Sequence, residues 1–399
     1  MLEARNSTGP AQKQVNGGQP DTVLVTGSRD RFIAGIRFPI LVFAIWRLAH
    51  IVMVRVAGRR ILESAYLWDG ENYLQILRNG YWNPRPSFPV HAFFPGLAWL
   101  AEPVQFITDS QAITVAIVAN GTALAAFITV WGVSRAWVGE AIARRSVLLF
   151  ALFPSSLFLW AFYSEGLFIA LSAGAVWADR RGRHVIAAVC LGALCTTRSV
   201  GVLVPLALIL LRVVRMRRVD RWALAYAEAA VAGVMAVLVT MEIQVGNPFA
   251  FMGVQKDWGR SISWPWVSVW QGIENLTPQR GTVMVPALIA REFDLVCVGL
   301  VIGAIGILVL SRKPRFPPEA WVLAIALMAL PFCSSVLPSF NRFTLATWMI
   351  FPAYAAMLGR TSRRIRGVLL GVVALASIAV SYSMVENFTV PYGLRNFIG

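Results

Sequence analysis

The chain alternates apolar blocks of roughly 15–25 residues with short polar connections, and each block is long enough to cross a hydrocarbon core of about 30 Å as a helix. The pattern predicts spans at residues 38–56, 111–133, 145–162, 164–177, 222–244, 294–311, 319–337, 343–358 and 367–385. Residues 92–107 are apolar but short, which predicts a re-entrant or interfacial helix. Segments 57–91 and 245–293 are mixed and polar and predict loops. The first contains Pro84, Pro86 and Pro89; the second contains Trp258, Trp264, Trp266 and Trp270, residues suited to a membrane surface. Residues 1–30 are rich in Gly, Gln, Asn and Ser and lack the apolar core of a signal peptide, so they predict a disordered cytoplasmic tail. Residues 31–399 then form one all-α polytopic domain of about 10–12 transmembrane or re-entrant helices.

Block 185–211 is apolar except for Thr196-Thr197-Arg198-Ser199, and both its flanks are strongly basic. Basic flanks favour the cytoplasm, and a single crossing would put one of them outside. Two short helices, in and back out with Arg198 at the tip, satisfy both. With a cytoplasmic N-terminus, 23 of the 36 basic residues fall in cytoplasmic segments, which supports that orientation.

Composition agrees: 57% of the 399 residues are apolar and only 14% charged, against about 25% charged in soluble domains. A water-soluble enzyme is excluded. The net charge of +16 lies in clusters between apolar blocks, the arrangement of a membrane protein rather than a nucleic-acid binder. Arg outnumbers Lys 33 to 3, a bias of GC-rich coding that points to a bacterial plasma membrane, the alternative being the ER membrane of a eukaryote. Cys190, Cys195, Cys297 and Cys333 lie in apolar stretches and read as packing residues. The chain has no GxxxxGK[ST] loop, HExxH or CxxC motif, so nothing points to a nucleotide-driven pump, a metal site or a redox site.

The predicted topology collects several polar groups on the outer face. Asp69, beside Trp68, is a carboxylate able to take a proton from a hydroxyl; it equally suits the N-cap of a helix over 70–79. His91 precedes Phe93-Phe94-Pro95 and has the chemistry to bind phosphate or a sugar hydroxyl, or to serve only in structure. Glu165 opens a span, where a carboxylate complements a helix N-terminus. Arg342 sits at a helix start, where the dipole disfavours a cation, so an anion partner would explain it. Arg198 is an intramembrane cation and a functional candidate, or a snorkelling helix-end residue. Lys256 lies in the Trp-rich loop, where it is a candidate anion contact or a solvated charge.

Together, Trp68-Asp69-Gly70…Tyr73, Gly80-Tyr81, Phe93-Phe94-Pro95, Phe153-Pro154-Ser155-Ser156, Tyr163-Ser164-Glu165 and Thr197-Arg198-Ser199-x-Gly201 resemble the PIG-V family of GPI mannosyltransferase II-like proteins. Gln255-Lys256-x-Trp258-Gly259-Arg260 and Arg342-Phe343…Phe351-Pro352 extend the resemblance toward its bacterial branch, over roughly residues 38–360. Asn72 departs from the His or Trp the family often carries there. The resemblance implies a GT-C glycosyltransferase that takes a sugar, mannose, from polyprenyl phosphate mannose and passes it to a lipid or glycolipid acceptor. It implies no nucleotide sugar, cofactor or metal, and makes Asp69 the base. Arg198, Arg342 and Lys256 then hold the donor phosphate, and Glu165 orients the sugar or the arginines. A secondary transporter or lipid flippase would share the intramembrane Arg47 and Arg198, but such proteins commonly carry inverted repeats, and none is visible here. A non-catalytic subunit of a glycosylation complex is a third reading.

Overall fold

The computed structural model describes residues 22–61, 65, 68–82, 90–257, 260–274 and 285–388. Among these residues the chain is all-α, with one isolated bridge between Ile262 and Ser334. In chain order the helices are α1 (Thr22–Val56), α2 (Asp69–Asn79), α3 (Gly96–Thr108), α4 (Gln111–Val138), α5 (Glu140–Leu152), α6 (Ser164–Arg180), α7 (His184–Cys195) and α8 (Leu203–Met216). They continue with α9 (Arg221–Val245), α10 (Ala250–Asp257), α11 (Pro265–Glu274), α12 (Val285–Leu310), α13 (Pro318–Phe332), α14 (Phe340–Ala346), α15 (Ile350–Leu358) and α16 (Arg363–Phe388). Among the described residues six helical segments are long and apolar enough to cross a membrane: Gly35–Val56, Gln111–Val138, Ser199–Met216, Arg221–Val245, Glu292–Leu310 and Arg363–Glu386. Their outward side chains, among them Leu41, Leu48, Leu210, Val231 and Leu375, are exposed apolar residues of the kind that face lipid.

Several predicted spans are broken, and proline marks two of the breaks. The run 145–162 divides into α5 and a 3₁₀ turn, Pro154–Leu159, because Pro154 has no N–H to continue the helical ladder. The run 343–358 divides at Thr347-Trp348-Met349, and Pro352 falls in the first turn of α15, where a missing N–H is tolerated. Segment 92–107 forms the short helix α3, and 185–211 forms α7 and α8 joined by the 3₁₀ turn Ser199–Val202. The 245–293 segment is not all loop, since it contains α10, α11 and the start of α12. Likewise α1 begins at Thr22, inside the stretch expected to be tail; residues 1–21 lie outside the described residues.

α4 packs along α6, and α7 packs against both α6 and α9. Trp131, Phe127, Phe150 and Trp348 are fully buried at the centre of the bundle. α6 joins two polar clusters. Glu165 sits in its first turn and Asp179 in its last, a separation of about 21 Å at 1.5 Å per residue. At the Asp179 end, Tyr226 Oη donates to Asp179 Oδ1 (2.6 Å) and Arg212 forks onto both oxygens of Asp220 (2.7–3.0 Å). Asp220 in turn caps α9 by accepting the Ala223 N–H at 3.0 Å.

Candidate active site

Four charged side chains meet at the Glu165 end. Arg342 Nε and Nη2 donate to Glu165 Oε1 at 2.7 and 2.6 Å, and Arg342 Nη1 pairs with Asp69 Oδ2. Arg198 Nη1 donates to the same Glu165 oxygen at 2.7 Å. Residues distant in sequence (69, 165, 198 and 342) thus form one ion-pair network. Removing one member would strand a buried charge, at a cost of about 3–5 kcal/mol.

The exposures of the two carboxylates differ. The Glu165 side chain is fully buried, while 27% of Asp69's is exposed. Glu165 therefore acts as the internal counter-ion, and among the described residues its Oε2 has no hydrogen-bond partner. Asp69 is the carboxylate of the two that solvent reaches. It is the first residue of α2; Trp68 occupies the cap position at φ +60°, an uncommon conformation for a large side chain. The N-cap role considered for Asp69 is thus overturned. Strain of this kind persists where surrounding contacts enforce it. Here the Asp69 N–H donates to Tyr163 Oη at 3.2 Å, fixing the turn against the start of α6.

Aromatic rings surround the cations. Arg342 lies 4.9 Å from the ring centroids of both Phe158 and Tyr163. Arg198 and Arg260 lie 5.4 and 5.8 Å from the Phe343 ring, one residue beyond Arg342. With Arg260 the site has three guanidinium groups and two carboxylates, a positive excess that suits an anion. Burial opposes the charge of Arg342, but Glu165 and Asp69 more than offset this and raise its pKa well above the usual value. Burial, then the Arg342 and Arg198 charges, lower that of Arg260. Burial and the Asp69 charge raise the Tyr163 phenol, which stays neutral.

The support behind Arg342 is also polar. Asp294, in α12, accepts the Ser339 N–H (3.1 Å), the Asn341 N–H (2.6 Å) and Asn341 Nδ2 (2.6 Å). Ser155 Oγ donates to Asn341 Oδ1 at 2.7 Å. These bonds fix the entry to α14 and so the position of Arg342. On the other side, the Gly96 N–H donates to Thr196 O at 2.8 Å. A Cβ at Gly96 would meet Thr196 Oγ1 at 2.3 Å and Thr196 O at 2.7 Å, so only glycine permits this approach two residues from Arg198.

Of the residues expected from sequence, Asp69, Glu165, Arg198 and Arg342 come together, with Trp68 adjoining them. Among the described residues His91 does not join the network; its ring lies 6.0 Å from that of Tyr81. Lys256 falls in α10, and its side chain lies outside the described residues. Sequence reading did not assign site roles to Arg260, Tyr163 or Asp294. Asp294 was detectable in principle, since a carboxylate inside an apolar run signals an internal partner. Among the described residues, no group of three or more His, Cys, Asp or Glu side chains is arranged to hold a metal ion.

The bundle is similar to solved membrane glycosyltransferases of the GT-C type. ArnT from Cupriavidus metallidurans bound to undecaprenyl phosphate superposes with a TM-score of 0.52 at 16% identity, over 91% of this chain and 76% of that one. The Archaeoglobus fulgidus oligosaccharyltransferase AglB, in complex with an inhibitory peptide and a dolichol-phosphate, gives 0.50 at 13% identity over 88% of this chain and 56% of that one. Its complex with Zn and sulfate gives 0.50 at 15% identity, over 88% and 53%. The chain thus spans about half the length of the archaeal protein. These likenesses establish the fold. No curated protein matches the sequence. The family model for Mannosyltransferase (PIG-V) matches residues 41–254, more than half of the chain, so this protein belongs to the mannosyltransferase (PIG-V) family.

Proposed function

We propose that the protein transfers mannose from polyprenyl phosphate mannose to a lipid or glycolipid acceptor at the outer face of the membrane, inverting the anomeric carbon. The observation that carries this is the division of labour between the two carboxylates: Glu165 is buried between two arginines, while Asp69 is accessible, with only Oδ2 held by Arg342.

Asp69 Oδ1 takes the proton of the acceptor hydroxyl. The resulting oxygen attacks the anomeric carbon as the bond from that carbon to the phosphate oxygen breaks. The bonding pair leaves with the phosphate. Arg198 and Arg260, which both lie near the Phe343 ring, compensate the charge that develops there, assisted by Lys256. Arg342 orients Asp69, and Glu165 holds both arginines in position. A lipid-linked donor keeps its tail in the bilayer and its anomeric carbon at the surface, which matches a site at one end of the bundle. The basic-residue count supports assigning that end to the outer face. The polyprenyl phosphates bound by ArnT and AglB lend support from chains of similar fold.

The test uses purified protein in lipid nanodiscs with radiolabelled polyprenyl phosphate mannose and a membrane lipid extract. Wild type is expected to move label to a new lipid, and Asp69→Asn to do so about 10²–10⁴-fold more slowly. Wild-type rates in Asp69→Asn would overturn the role of the base. Donor flipping without transfer would overturn the transferase reading.

A further inference from the structure

A polar cavity of about 250 Å³ opens at the far end of α2, between α2, α3 and the last turns of α9. Asn79, Trp82, Trp99, Glu102, Thr240 and Gln244 supply its chemistry. From Asp69 to Asn79 the helix rises about 15 Å, so the cavity is separate from the ion-pair network.

Two hydrogen bonds and one glycine turn hold its walls together. Gly80 ends α2 at φ +61°, and a Cβ there would lie 2.4 Å from Gln244 Oε1. That turn lets the Tyr81 N–H donate to Gln244 Oε1 at 2.7 Å, tying α2 to α9. With its oxygen engaged, Gln244 has its amide N–H groups to offer a ligand. Tyr81 Oη is anchored separately, on Phe93 O at 2.6 Å. Thr240 spends its hydroxyl proton on Ala236 O (2.7 Å), so toward a ligand it is an acceptor. Glu102 is an exposed carboxylate, a strong acceptor.

We infer that this cavity binds a neutral sugar ring of the acceptor, remote from the hydroxyl that reacts. The inference rests on the transferase reading above and names where its acceptor is recognised. Among the described residues no cation lines the cavity, which argues against a phosphate. The volume falls below the roughly 300–1,000 Å³ of drug-sized ligand sites, so it suits one small polar ring. Several acceptor groups, an amide donor and two indoles match the alternating hydroxyl and C–H surfaces of a pyranose. The donor's isoprenoid tail is apolar, and its sugar must stand at Asp69 with the phosphate, so neither part of the donor fits here.

The test separates binding from turnover. Saturation-transfer NMR is run on the full chain in nanodiscs with methyl α-mannoside, methyl α-glucoside and ethanolamine as probes. A methyl glycoside is expected to bind wild type and Asp69→Asn alike, and about ten-fold more weakly to Glu102→Ala and Trp99→Ala, a loss of about 1.4 kcal/mol. Glu102 is exposed, so its variant folds even if Trp99→Ala does not. In transfer assays Glu102→Ala is expected to raise the acceptor KM about ten-fold, leaving the donor KM and kcat unchanged. No glycoside binding to wild type, equal binding to Glu102→Ala, loss of binding in Asp69→Asn alone, or binding of ethanolamine in place of glycosides would each overturn the assignment. Glycoside binding without any transfer by wild type would instead remove the transferase reading and leave a sugar site.

Discussion

Arg342 places two guanidinium nitrogens on a single oxygen of Glu165, Nε at 2.7 Å and Nη2 at 2.6 Å. Arg198 puts a third donor on that oxygen at 2.7 Å, and the carboxylate has no exposure to solvent. A buried anion shared by two cations is a structural pivot. It fixes the spacing between α6, the tip between α7 and α8, and α14, and thereby the place at which Asp69 is presented.

Glu165→Gln keeps the shape and removes the charge, leaving Arg342 its pair with Asp69 and taking from Arg198 the carboxylate it pairs with. The expected cost is about 3–5 kcal/mol, the range for a broken buried pair. Thermal unfolding in nanodiscs should show it as a lowered Tm. Because Arg198 shares the oxygen, Glu165→Gln with Arg198→Met should cost less than the sum of the single changes, with a coupling of about 0.5–3 kcal/mol. Additive losses would show that the two residues are not coupled.

Arg342→Lys retains a positive charge and loses the fork. A single ammonium cannot serve Glu165 and Asp69 with the geometry of three guanidinium nitrogens. The expected result is a fall in kcat of about 10²–10³-fold, the range for losing one aligned donor in a preorganised site. In the proposed role Arg342 acts through Asp69, so the donor KM should change far less. A rise in donor KM with kcat preserved would assign Arg342 to donor binding instead.

Much of this arrangement was legible in the sequence because charge inside apolar surroundings is expensive and therefore informative. Arg198 stood out against its apolar block, and the basic flanks required the turn that the structure contains between α7 and α8. Arg342 stood out as a cation at a helix start, and its anion partners are Glu165 and Asp69. Periodicity could not supply the pairing itself, since contacts across 177 and 273 positions depend on how helices pack. The breaks at Phe153 and Thr347–Met349 were missed because a hydropathy pattern counts apolar residues without asking where backbone donors find partners. Among the described residues His91 stands apart from this network, its ring 6.0 Å from that of Tyr81.

Gly96→Ala tests whether the position of Arg198 depends on the contact behind it. The added Cβ would meet the Thr196 backbone oxygen at 2.7 Å, which a rotamer change cannot relieve. Overpacking of this kind costs about 1–3 kcal/mol. Displacing the Thr196–Arg198 turn by about 1 Å can cost about 10²-fold in rate. Both a lowered Tm and a reduced kcat are therefore expected, and removing the neighbouring hydroxyl with Thr196→Ala should not rescue them. Rescue would locate the clash at the side chain rather than the backbone.

At the opposite end of the bundle, Asp220 should make stability depend on acid. Its hydrogen bonds from Arg212, chiefly, and from the Ala223 N–H hold its carboxyl well below the usual range, outweighing burial. A folded-state pKa below the unfolded value of about 3.9 means that the contribution is complete above that pH. It is lost as pH falls through 3.9 toward the folded value, because the unfolded chain then takes up the proton first. Asp220→Asn removes the pairing at every pH. The Tm difference between wild type and Asp220→Asn should thus be constant from pH 8 to pH 5 and shrink below about pH 4. Comparing the two proteins cancels the acid response of the other carboxylates. A difference that stays constant into the acid range would mean that Asp220 stabilises the junction of α8 and α9 by shape rather than by charge.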